Sequence, residues 1–139
     1  MTLKYELLRL VGASLYWGEG TKSRKLKRGG MIYAIEFTNV DVNMILVFLR
    51  FLREIIGAYE DRIRAQVFLY PDNSEISTLK YWSKITKIPL TRFQKPIFVK
   101  RRSVRFANSP YGIMKIRYSH KEHFLKIQGI IGEIIGEVA

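Results

Sequence analysis

Apolar residues recur at helical spacing near both ends of this chain and at strand spacing between them. From Thr2 to about Trp17, Leu7, Leu8, Val11 and Leu15 are spaced for one face of a helix, with Thr2 placed to cap its start. Gly18 and Gly20 favour leaving the helix. "KSRKLKRGG" then reads as a short strand or a loop, turning at Gly29–Gly30 into the strand "MIYAIEFTN". Asn39 or Asp41 caps a second helix from Val42 to about Ile56. Its stripe is Ile45, Leu46, Leu49, Leu52 and Ile56, and Gly57 ends it. "RIRAQVFLY" puts Ile63, Ala65, Val67 and Leu69 on one strand face.

"PDNSE" caps a third helix running to about Thr86, with Leu79, Trp82 and Ile85 facing inward. "PLTRFQKPIFVKRR" and "YGIMKIRYS" read as two strands joined by a basic loop around Ser109–Pro110. Phe124, Ile127, Ile130, Ile131, Ile134 and Ile135 give the last helix its stripe. The predicted order is helix, hairpin, helix, strand, helix, hairpin, helix. No linker or low-complexity tract interrupts it, so residues 1–139 read as one α+β domain with helices on one sheet face.

Charge changes the picture. The 24 Lys and Arg against 12 Asp and Glu give a formal charge of +12, a surplus that opposes compaction and calls for an anionic partner. Nucleic acid is the usual one. With no cysteine, disulfides, thiolate metal sites and a Cys nucleophile are excluded. The longest apolar run, Met44 to Leu49, stops at Arg50, far short of a membrane span. "MTLKYELLRL" carries Glu6 and Arg9 inside its apolar pattern and does not read as a secretory signal. The expectation is an intracellular, cytoplasmic protein with no membrane partner.

The positive charge is concentrated on strands. No acid lies between Arg92 and Lys121, whereas Lys100, Arg101, Arg102, Arg105, Lys115 and Arg117 all do. Lys115 and Arg117 alternate with Met114, Ile116 and Tyr118, so one strand face is basic and the other apolar. Arg62, Arg64 and Gln66 make a similar face on the third strand. A sheet of this kind packs helices on one side and offers the other to phosphates and base edges. Glu36 falls on the same side as Ala34 and Thr38, where it joins the polar surface or pairs with a lysine.

The first helix ends unusually. Ser14 and Gly18 lie four apart, with Gly12 and Ala13 beside them, so one side has almost no bulk and lets a second helix approach closely. Glu19 follows, an acid where the helix dipole disfavours one. Lys22, Arg24, Lys25, Lys27 and Arg28 come next.

"GASLYWGEG", Gly12 to Gly20, resembles the nine-residue motif of the LAGLIDADG homing endonucleases. Ala13, Ser14, Leu15, Gly18, Glu19 and Gly20 match its Ala, first Gly, Leu, small Ala, metal-binding acid and final Gly. Tyr16 stands at the Ile position, Trp17 at the variable Asp, and Gly12 where Leu is usual. "GEGTKSR", "FTNVD" and "YWSKITKIPLTRFQKP" also resemble LAGLIDADG-like proteins of prokaryotes. The resemblance implies an antiparallel sheet saddle with helices packed on one face. It also implies a homodimer in which Gly12, Ala13, Ser14 and Gly18 form the helix interface.

Further implications are chemical. Glu19 and its symmetry mate, with Gly18 beside them, would hold a divalent metal such as Mg²⁺, and double-stranded DNA would be hydrolysed at phosphodiester bonds. Lys22, Arg24, Lys25, Lys27, Arg28, Arg62, Arg64, Gln66, Arg101, Arg102, Arg105 and Arg117 would contact DNA. Lys115 or Lys100 would supply the basic residue that serves the transition state in this family. The alternative is a noncatalytic DNA- or RNA-binding protein of the same fold; a basic subunit of an RNA–protein complex is more distant. His120 and His123 cannot complete a zinc site and read as the cap and first turn of the last helix. "GEGTKS" lacks the upstream Gly of a phosphate loop and follows its helix instead of preceding it.

Overall fold

The computed structural model describes residues 2–21, 29–100 and 110–139, with the backbone of 24 and 25. Helix α1 spans Leu3–Glu19, and the Thr2 hydroxyl caps it by accepting from the Tyr5 amide at 3.1 Å. The helix runs through Gly18, so the expected exit at Trp17 is two residues early. Gly20 is extended, with φ −80° and ψ 155°, a conformation open to any residue. Glycine is required there for space, because a Cβ would lie 2.2 Å from the Tyr16 ring. Tyr16, itself fully buried, donates from its hydroxyl to the Thr21 carbonyl and so ties the helix end to the strand that follows.

That strand, β1 (Gly20–Thr21), pairs antiparallel with β4 (Ala34–Asn39), and between them β2 (Arg24–Lys25) pairs with β3 (Met31–Ile32). The ladder register steps by one residue between the two pairs, the signature of a bulge in the hairpin. Gly29 and Gly30 make the turn at φ +85° and +86°. Asp41, not Asn39, caps α2 (Val42–Arg50) by accepting from the Met44 amide at 3.1 Å. The helix continues in wider π turns over Phe51–Ile56 and ends at Gly57 in the left-handed region.

Strand β5 (Arg64–Leu69) alternates as its sequence predicts, and Ile63, Ala65, Val67 and Leu69 are fully buried. Ser74 caps α3 (Glu75–Thr86), which anchors through Trp82, whose indole donates to the Tyr111 carbonyl at 2.8 Å. Short strand β6 (Ile97–Phe98), strand β7 (Ile113–Ser119) and helix α4 (Lys121–Val138) complete the chain.

The sheet order is β1-β4-β7-β5-β6, antiparallel except for the parallel pair β5–β6. Two expectations are corrected here. The sheet is mixed instead of wholly antiparallel, and β6 and β7 do not form a hairpin. Both edges of β7 are taken, by β4 on one side and β5 on the other, so β6 adds outside β5. The result is an α+β arrangement with four α-helices among the described residues. Ile35, Phe37, Met114, Ile116, Tyr118 and the inward residues of β5 join Ala13, Tyr16, Phe48, Leu52 and Phe124 in one core. Phe37 stacks on Phe48 at 4.5 Å, fixing α2 against β4. Among the described residues no helix is long and apolar enough to cross a membrane.

Candidate functional site

Helix α1 has two different faces. Inward, Gly12, Ala13 and Tyr16 are buried, with Leu8 and Leu15 packed against the same core. Outward, Leu3, Leu7, Leu10, Val11, Ser14, Trp17 and Gly18 are exposed. This corrects the expected interface. Gly12 and Ala13 are consumed inside the chain, Gly12 because Phe51 leaves no room for a Cβ and Ala13 because it is fully covered. Ser14 and Gly18 remain outside, and open space surrounds the Gly18 Cα. Leu7 and Val11, assigned from periodicity to the core stripe, also lie outside, at 53% and 45% exposure.

A stripe three and four residues apart therefore runs along the exposed side of α1 to Glu19. Glu19 is exposed at the last helical position, and no basic residue occupies that final turn. Beside the stripe, Arg9 pairs with Glu6 and reaches Glu133 of α4, fixing the two helices side by side.

The sheet face away from the helices is polar and ordered by register. Glu36, Arg117 and Arg64 stand in one row across β4, β7 and β5; Thr38, Lys115 and Gln66 stand in the next. The Glu36 carboxylate lies 3.5 Å from the Lys115 ammonium and 3.9 Å from Arg117. The open choice for Glu36 is thus resolved as pairing within the polar surface. Its charge also acts on the Tyr16 hydroxyl, which burial first and Glu36 second push up to about 12. Lys115 sits 5.9 Å over the Phe68 ring, and Gln66 donates to the Lys95 carbonyl at 2.8 Å.

Of the two basic residues considered beside Glu19, the topology separates one. Lys115 is on β7, two strands from β1, or about 10 Å across the sheet. Lys100 follows β6 at the opposite edge, four strands from β1 or about 19 Å away. Lys100 therefore does not join Glu19 within one chain. Arg24 and Lys25 lie on β2, paired with Ile32 and Met31. Lys22, Lys27, Arg28, Arg101, Arg102 and Arg105 lie outside the described residues.

His120 caps α4, its Nδ1 accepting from the His123 amide at 3.1 Å, as the sequence predicts. Sequence reasoning missed the cluster around it. Tyr118 Oη and His123 Nδ1 are 2.7 Å apart, the Tyr59 amide donates to Tyr118 Oη at 3.0 Å, and the two imidazoles stack at 3.9 Å. Burial, then the neighbouring His120 and Lys126, lower the His123 pKa. Sequence reasoning also missed that α1 is apolar on both sides; the signal was Leu3 and Leu10, outside the stripe of Leu7, Leu8, Val11 and Leu15. Among the described residues no cluster of three or more His, Asp or Glu is placed to hold a metal.

Comparison with family models, with curated proteins and with solved structures finds no match to this chain.

Proposed function

We propose that this chain is a LAGLIDADG-type, site-specific DNA endonuclease acting as a homodimer with divalent metal at paired Glu19 residues. The observation that carries the reading is the exposed face of α1. Ser14 and Gly18 are exposed on it, no Cβ blocks approach at Gly18, and Glu19 stands at its end. A second copy packed on that stripe brings the two Glu19 carboxylates toward a common axis. The fold gives further support: α1, the β1–β4 hairpin, α2 and α4 follow the family order, and β5–β7 is a second antiparallel pair. Helix α3 and strand β6 are then insertions within that second pair.

The donor set suits Mg²⁺. Carboxylate oxygens are the hard ligands this ion takes, it keeps several waters, and the exposed Glu19 leaves room for them. The Gly18 carbonyl is a further oxygen in reach of the same end of the helix. When bound, the metal supplies water activation and charge stabilisation for phosphodiester hydrolysis. The chain's own groups orient and hold. Glu19 and its mate carry the negative charge that fixes the ion, and Arg64, Gln66, Lys115 and Arg117 offer a cationic face to the duplex backbone.

A noncatalytic DNA- or RNA-binding protein of the same fold is the second reading. The ion pair of Lys115 with Glu36 favours it, because an ammonium already engaged by a carboxylate of its own chain serves a transition state less well. Incubating a randomised duplex library with Mg²⁺ and wild type or Glu19→Gln separates the two. Cleavage lost in the variant with binding kept supports the endonuclease. Salt-sensitive binding without any cut by the wild type selects the binding protein.

A further inference from the structure

On the polar sheet face, near the end where β5 begins, Arg62, Arg64, Gln94, Arg117 and Ser119 line a pocket of about 230 Å³. Among the described residues no carboxylate lines it. Arg64 and Arg117 are directly opposite across β5 and β7. Like charges in that relationship oppose strand pairing, so the fold places them together against its own stability. Arg62 joins them from the neighbouring 3₁₀ turn, Glu60–Arg62.

Each guanidinium is positioned by one edge. Arg62 donates to the Ser119 carbonyl at 2.5 Å and Arg64 to the Asp61 carbonyl at 2.5 Å, while Arg117 is 3.9 Å from Glu36. A guanidinium has five N–H donors, so these contacts hold the groups and leave donors for a ligand. Three planar forks, an amide and a strand-end serine lining one pocket offer more donors than the two oxygens of a carboxylate can take, and suit an oxyanion with three or four acceptor oxygens. The volume, several times the roughly 30 Å³ of one water, admits such a group with part of its hydration.

We propose that Arg62, Arg64 and Arg117 form a discrete phosphate-binding pocket, with Gln94 and Ser119 as its neutral hydrogen-bonding wall. This deepens the reading of the sheet as a nucleic-acid face and rests on it for the source of the phosphate: a backbone phosphate of the bound strand. Free phosphate shares the chemistry and is the other source. The pocket would fix the register of the strand on the sheet, since phosphate contacts position and base contacts specify.

The test uses the full chain with isotope-labelled arginine side chains, titrated with inorganic phosphate against chloride at constant ionic strength. The expected result is a saturable shift of the Arg64 and Arg117 Nε–H signals, with Arg50 on α2 unmoved. Arg117→Gln is expected to weaken that binding about tenfold, as for loss of a charge-assisted hydrogen bond, with the amide spectrum of the fold retained. Duplex DNA is then added. Displacement of phosphate from the same arginines makes the nucleic-acid backbone the source. Saturable phosphate binding that duplex does not disturb keeps the pocket and overturns the nucleic-acid reading of this face. Duplex binding with no response of these arginines to phosphate or DNA overturns the pocket and leaves that reading standing. Shifts that grow linearly with any anion overturn the pocket as well.

Discussion

A Cβ built on Gly12 stands 2.1 Å from Cγ of Phe51. The first helix and the π turn of the second thus meet almost backbone to ring, with Ala13 and Leu52 fully buried in the same core. Gly12→Ala relieves the helix-propensity cost of glycine but drives a methyl into that ring. Overpacking wins, and the variant is expected to lose about 1–3 kcal/mol in urea unfolding. The motif resemblance has Leu at this position, and Gly12→Leu is expected to be worse. Addition of Phe51→Ala to Gly12→Leu is expected to recover part of the loss, because the space is then shared. Equal stability of wild type and Gly12→Ala would remove the packing account.

The Glu36 carboxylate lowers the potential of the face that we propose meets phosphate. Glu36→Gln removes it while keeping the shape, and Lys115 and Arg117 each gain an uncompensated charge. Stability is expected to change by less than about 1 kcal/mol, since all three groups retain contact with water. Affinity for a fixed duplex is expected to rise roughly two- to fivefold at low salt and to converge with wild type as salt screens the face. Fluorescence anisotropy over a salt series reads both. An unchanged affinity at every salt concentration would move the duplex off this sheet.

His123 makes stability depend on pH with a definite sign. Its pKa in the fold lies below the ordinary value of 6.5, first through burial and then through His120, Lys126 and Arg62, against the raising effect of Glu122. The unfolded chain therefore takes up the proton first as pH falls. The contribution is full above about 6.5 and is lost through the window between 6.5 and the lower folded pKa. The geometry agrees, because a protonated Nδ1 cannot accept from the Tyr118 hydroxyl, whose oxygen already accepts from the Tyr59 amide. Urea midpoints between pH 7.5 and 5 are expected to fall for wild type and to fall less for His123→Gln. Parallel slopes would assign the dependence to other groups.

The elements that one strand or helix determines by itself were legible. Ile63, Ala65, Val67 and Leu69 alternate into the core as read, and the stop at Gly57 is a left-handed glycine. What failed was pairing at a distance. Nothing local tells Ile97–Phe98 to lie parallel to β5, or gives both edges of β7 to earlier strands. The first helix failed for a related reason. Leucines at Leu3, Leu7, Leu8, Leu10 and Leu15 define two apolar sides, and periodicity cannot say which one meets the sheet. At the candidate site, Glu19 and the basic strands were readable from residue type. The convergence of Arg62, Arg64 and Arg117 needed the register between β5 and β7.

The outward stripe of α1 gives the sharpest prediction about assembly. Val11 is 45% exposed and sits one helical turn before Ser14, so a charge there meets water in a lone chain and a second apolar helix in a dimer. Val11→Asp is expected to leave unfolding within about 0.5 kcal/mol for the isolated chain, as for exposed positions elsewhere. In the proposed dimer it places two carboxylates within the contact, and sedimentation at micromolar concentration is expected to show monomer where wild type shows dimer. Ser14→Leu keeps the stripe apolar but adds bulk where close approach is needed, and it is expected to have the same effect. Gly12→Ala acts on the other side of the helix and is expected to change stability without this change in mass at concentrations where the chain stays folded. A wild type that stays monomeric, even with duplex present, would rule out a metal site shared between two Glu19 residues.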